Sequence, residues 1–126
     1  MSHRRAEREL TFSQADFDAF ATLSGDDNPI HVDPDFSART RFGRTVAHGA
    51  LLCSVLHGLV EELVPGGRQL SQSTMYPAPS PAGEALRFVA ETVTDTAQSV
   101  RIRLEVTRLG DGEITCQGET EVAPCR

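Results

Sequence analysis

Asp26, Asn28 and His31 lie within one short segment, Gly25-Asp26-Asp27-Asn28-Pro29-Ile30-His31. Proton transfer needs an acid and a base held near one atom, and imidazole is the side chain that titrates nearest neutrality. A carboxylate beside that ring can bind the same water or orient the ring. Gly25, Pro29 and the following Pro34 limit how the segment moves. Residue types alone leave a second reading open, because Asp and Asn also serve as turn and cap residues.

The flanking pattern says which elements hold this segment. Ser13 is followed three residues later by Asp16, a capping-box arrangement. Phe17, Phe20 and Ala21 then recur at helical spacing, and Gly25 supplies the stop. Residues 26–33 read as a loop, and Asp33 caps a second helix with Pro34 at its first position and an end near Phe42 and Gly43. Residues 46–64 form a third helix, apolar nearly all round until Glu61 and Glu62, so burial nearly all round is expected. Pro65, Gly66 and Gly67 end it.

The remainder alternates with period two. Leu86, Phe88 and Ala90 share one face; Val100, Ile102, Leu104 and Val106 share another; Ile114, Cys116, Gly118, Thr120 and Val122 continue after a turn at residues 109–112. Further strands are expected at residues 7–12 and 68–76. Residues 77–83 hold three prolines and read as a loop or bulged edge. One apolar helix beside several one-face-apolar strands implies an α+β fold, a sheet wrapped on a central helix.

Composition excludes several classes of function. The 126 residues fit one domain, and the net charge of -6 argues against a nucleic-acid partner. All twelve basic side chains are arginine, so no lysine is present for a Schiff base or a Walker-type loop. Cys53, Cys116 and Cys125 lack CxxC spacing, which points to free thiols in a reducing compartment, the cytoplasm, and to no metal site. The arginine-bearing N-terminus has no apolar run after it, so no signal peptide and no membrane partner are expected.

The stretch from Leu23 through Gly25, Asp26, Asn28, Pro29 and His31, with Ala38 after it, resembles the hydratase motif of the MaoC-like, (R)-specific enoyl-CoA hydratases. The likeness continues through Val46-Ala47-His48-Gly49-Ala50-Leu51, and in Tyr76, Pro79, Gly83 and Glu84. The resemblance implies a hot-dog fold, usually dimeric, and a hydro-lyase without a cofactor acting on 2-enoyl or 3-hydroxyacyl thioesters of coenzyme A or an acyl carrier protein. It implies that Asp26 and His31 bind the reacting water. Gly49, at the start of the buried helix, would present its N–H to the thioester oxygen, where unpaired helix amides favour negative charge; glycine there also suits tight packing.

His48 reads as a structural histidine, and Asn28 as a brace for the loop or a neighbouring water. His57 stands where some family members carry a small hydroxyl residue; it either lines the substrate pocket or is a hydrogen-bonded core residue. Arg101 and Arg103 share one strand face and either meet a phosphate or an acidic carrier, or form a solvated surface. Two other functions remain open. A thioesterase on this fold usually places a carboxylate on the central helix, which here has no acid before Glu61. A non-catalytic acyl-binding domain has no use for the Asp26–His31 pair.

Overall fold

The structure is a computed structural model that describes residues 3–125. Strands β1 (Arg5–Thr11), β2 (Arg68–Met75), β3 (Ala85–Asp95), β4 (Val100–Arg108) and β5 (Ile114–Ala123) form one antiparallel sheet in the order β1-β3-β4-β5-β2. Helices α1 (Gln14–Ser24), α2 (Pro29–Val32), α3 (Pro34–Ala38) and α4 (Gly49–Leu63) all fall between β1 and β2 in the chain. The expected α+β arrangement is present, with α4 lying against β1, β3 and β4.

Alternation in β4 turns Val100, Ile102, Leu104 and Val106 inward, and each is fully buried. They meet Leu52, Leu56, Leu59, Val60 and Leu63 from one face of α4, with Phe17 and Phe88 closing the cluster. The opposite face of α4 is not buried as its apolarity suggested. Ala50, Ser54, His57 and Gly58 are exposed, because the sheet covers only one side of the helix.

Three local departures shape the site. The loop after Gly25 contains the single turn α2, which starts because the Asn28 side chain accepts from the Ile30 N–H at 3.2 Å and Pro29 takes the first helical position. The second expected helix stops at Ala38. The Thr40 hydroxyl donates to the Ser37 carbonyl and accepts from the Phe42 N–H, diverting groups a longer helix would pair. The long helix starts only at Gly49, since residues 45–47 run extended: Val46 bridges Pro81, and the Ala47 N–H donates to the Ser80 carbonyl at 2.9 Å.

Gly118 also differs from its reading as one more inward position. A Cβ there would lie 2.0 Å from the Ser73 carbonyl oxygen, so the missing side chain is what lets β2 pair with β5. Leu56 is the best single probe of the core, being fully buried between helix and sheet. Leu56→Ala is expected to cost about 2–5 kcal/mol of stability, read from the urea midpoint with an unchanged m-value.

Candidate active site

His31 is fixed from several sides. Its main-chain N–H closes the α2 turn onto the Asn28 carbonyl, and its carbonyl accepts from the Gln14 side chain at 2.8 Å. Gln14 in turn accepts from the Thr45 hydroxyl, which ties α1 to the extended segment before α4. The His31 ring places Nδ1 2.8 Å from the Val46 carbonyl. A carbonyl only accepts, so Nδ1 carries the hydrogen, and in the neutral ring Nε2 presents a lone pair. That Nε2 lies 3.8 Å from Asp26 Oδ2. The imidazole is buried, whereas the carboxylate is more than half exposed.

His48 joins the two. It is buried, it caps the start of α4, and its Nε2–H donates to the Asp26 carbonyl at 2.8 Å. Its ring stacks on that of His31, with centroids 3.8 Å apart, and Phe20 meets its edge. Three ligand atoms of Asp26, His31 and His48 come within 4.8 Å of one another. They fit a metal ion poorly. Zinc wants in-plane imidazole lone pairs at about 2.0–2.1 Å, and rings inclined by 22° in a stack aim theirs in nearly parallel planes.

A cleft of about 680 Å³ opens beside this pair, lined by His31, Gly49 and Tyr76 and by Arg41 at the surface. Gly49 and Ala50 are the first residues of α4, so their N–H groups have no acceptor within the helix. A Cβ on Gly49 would sit 2.7 Å from Tyr76 Cζ, so the absent side chain is what allows this ring to lie on the helix start. Asp26, His31 and Gly49 are thus brought to one region. Asn28 is turned to its own cap, and His57 sits outside the cleft on the exposed flank of α4. Arg101 is paired with Glu119, and Arg103 with Glu91 and Glu105.

Other cleft residues were not visible as such in the sequence. At the bulge where β5 slips against β4, Val106 pairs Cys116 and Thr107 pairs Ile114, leaving Thr115 as the extra residue. Thr115 is fully buried in the cleft wall, as is Ser80 from the proline-rich loop. Arg108 holds that loop, donating to the Pro79 carbonyl at 2.8 Å while it pairs with Asp111. Strict alternation predicts nothing for Thr115, because only the register shift turns it inward.

Residues 2–115 match the family described as MaoC like domain. The chain is 35% identical to an (R)-specific enoyl-CoA hydratase of Aeromonas caviae, over 94% of this chain and 91% of that one. It is 31% identical to a 3-hydroxybutyryl-CoA dehydratase of Methylorubrum extorquens, covering 87% and 71%. In three dimensions it is similar to the (R)-hydratase of Aeromonas caviae, with a TM-score of 0.90, 29% identity and coverage of 99% and 97%. The unliganded (R)-hydratase of Pseudomonas aeruginosa follows, with a TM-score of 0.88, 28% identity and coverage of 100% and 83%. The sheet-and-helix arrangement is therefore the hot-dog fold.

Tyr76 has one further partner. Its hydroxyl lies 3.1 Å from Cys53 Sγ. Hydrogen bonding with the Cys116 thiol foremost, then with Tyr76, Thr74 and Gln72, outweighs partial burial and holds the Cys53 thiol well below the ordinary thiol range. The same contact with Cys53, together with burial, pushes the Cys116 thiol up. Burial first, then the bond to Cys53, pushes the Tyr76 phenol up to about 12. Tyr76→Phe removes a donor from the thiolate, so the Cys53 titration midpoint is expected to rise. The pH dependence of Cys53 alkylation, followed by peptide mass spectrometry, measures it; an unchanged midpoint would contradict this account.

Proposed function

The chain belongs to the MaoC-like domain family, and from that footing we propose that it is a hydro-lyase interconverting 2-enoyl and 3-hydroxyacyl thioesters. The observation that carries this reading is the Asp26–His31 pair: Oδ2 and Nε2 are 3.8 Å apart, with Nε2 left as an acceptor by the Nδ1 bond to Val46. Two acceptors at that separation suit one water that donates a hydrogen to each. In hydration, His31 takes a proton from the water as its oxygen bonds to the β-carbon, and Asp26 orients the second hydrogen. Electron density moves to the thioester oxygen, toward the Gly49 N–H and the positive end of α4. The enolate then collapses, the α-carbon receives the proton from the His31 imidazolium, and dehydration reverses the sequence.

The thioesterase reading is weaker. Helix α4 brings no carboxylate to the cleft, and Glu61, its first acid, is exposed and accepts from the Gly66 N–H. A purely acyl-binding role leaves unexplained why the His31 tautomer is set and its free nitrogen turned toward a carboxylate. We assign the substrate to thioesters of coenzyme A or an acyl carrier protein. The free thiols Cys53, Cys116 and Cys125 support a reducing compartment, the cytoplasm. No helix among the described residues is long and apolar enough to cross a membrane.

The working unit is proposed to be a homodimer, paired along β2. Both β1 and β2 are edge strands, but β1 is guarded by Arg5, Glu7, Arg8 and Glu9. β2 carries only Arg68 as a charge and leaves Leu70 and Met75 exposed. Analytical ultracentrifugation is expected to give twice the 13.7 kDa chain mass; a monomer at micromolar concentration would overturn the pairing.

The activity test is hydration of a short trans-2-enoyl-CoA by the wild type, Asp26→Asn and His31→Ala, with matched folding by circular dichroism. Each substitution should cost about 10²–10⁴-fold in turnover. Hydrolysis of acyl-CoA without hydration would favour the thioesterase instead, and unimpaired variants would remove the pair from the mechanism.

A further inference from the structure

Ion pairing separates the arginines of this acidic chain into two kinds. Several on the sheet surface are neutralised: Arg87 faces Glu7 and Glu9, Arg101 faces Glu119, and Arg103 faces Glu91 and Glu105, whereas the exposed Arg8 and Arg68 form no ion pair among the described residues. At the cleft, Arg108 pairs with Asp111, and nearby Arg44 with Glu84. Arg41 is different. It lines the cleft at its exposed margin and forms no ion pair among the described residues. Its guanidinium lies 5.0 Å from the centroid of the Phe42 ring, a stacking that steers the group without using its N–H donors. Arg39, two residues earlier, is also exposed and forms no ion pair among the described residues.

A guanidinium left unpaired at the rim of a cleft in a chain of net charge -6 is suited to an anion arriving with the ligand. Planar forked donors match phosphate oxygens in particular. The cleft supplies a second, independent indication of a polar ligand. The Ser80 and Thr115 hydroxyls are buried in its wall, and neither makes a hydrogen bond to the protein. Buried hydroxyls are normally satisfied, and an arm carrying amide groups would satisfy them. Thioester carriers have this layout, with a thiol end, two amides and then a phosphate.

We propose that Arg41 is the phosphate anchor of the cleft, binding a phosphate of the substrate's carrier arm while the thioester reaches Gly49 and His31. The inference rests on the thioester reading above and deepens it: it says which end of the substrate Arg41 recognises. The shared chemistry is the phosphate on pantetheine, present both in coenzyme A and on a carrier protein. Arg41 touches no reacting atom, so it governs capture and not the chemical step. Arg101 and Arg103, already paired across the strands, have no such role.

The test compares one enoyl group on four carriers: N-acetylcysteamine, pantetheine, 4′-phosphopantetheine and coenzyme A. Arg41→Ala should raise KM for the coenzyme A thioester about tenfold, the scale of one charge-assisted hydrogen bond at an exposed site. kcat, and KM for the two phosphate-free thioesters, should stay unchanged. Arg41→Lys should recover part of the loss, and Arg101→Ala should change nothing. A loss that appears already with 4′-phosphopantetheine supports the proposal and assigns the phosphate common to both carriers. A loss confined to coenzyme A supports it and assigns a phosphate of the nucleotide end. Equal losses on all four carriers, or none, would overturn it. Direct titration with coenzyme A and with pantetheine keeps the inference separate from the activity. If the wild type hydrates none of the thioesters, the hydratase reading falls; Arg41 is then judged by whether Arg41→Ala weakens coenzyme A alone.

Discussion

The hydrogen bond from His48 Nε2 to the Asp26 carbonyl is the contact on which the site depends. It is made by a buried ring whose other nitrogen has no protein partner, so the fold tolerates an unsatisfied polar atom to keep it; such an atom costs about 1–3 kcal/mol. That ring does three things at once. It sets the backbone of Asp26, forms a stacked floor under His31, and stands as the residue before the first turn of α4. The carboxylate, the imidazole and the helix N-terminus are thereby referred to one rigid group, although they come from a loop, a one-turn helix and a long helix. A site so built resists small displacements, which matters where reacting atoms must meet within fractions of an ångström.

Much of this was legible in the sequence, and the reasons are local. The capping box at Ser13 and Asp16 and the Gly25 stop depend only on neighbouring residues, and both appear as read, with Gly25 at a φ of 82°. The β4 alternation is equally self-contained, since its inward face is determined by period two. The pairing of Asp26 with His31 needed more than spacing, because residues 26–33 carry turn formers that serve as caps. Asn28 and Asp33 do cap, as the alternative reading of those residue types holds. Only the likeness to a known motif singled out the other two.

What the sequence did not reveal is long-range. Thr115 enters the cleft through a slip between β4 and β5, and a slip is a property of two strands. Gly118 looked like one more inward position, whereas its role is steric and concerns a carbonyl of β2 forty-five positions earlier in the chain, at Ser73. The apolarity of α4 was read as burial all round, but the sheet reaches only one side of it. Arg41, Arg101 and Arg103 are alike as letters. They part only when each is seen with or without a carboxylate beside it.

These two kinds of information divide the site by function. The groups proposed to act on the reacting carbons lie in a short segment and at a helix start, where local geometry is strongly constrained by proline, glycine and capping. The groups assigned above to the rest of a substrate come from a bulge, a proline-rich loop held by Arg108, and the turn after α3. Those elements are set by tertiary contacts and tolerate change more readily than the Asp26–His31 geometry does. A fold arranged this way can keep one reaction while altering what it accepts, since Arg41 can vary without moving His31, whose hydrogen bonds run to Asn28, Gln14 and Val46. Reaction class is therefore set by the constrained segment around His31, and the choice of substrate by the margin of the cleft.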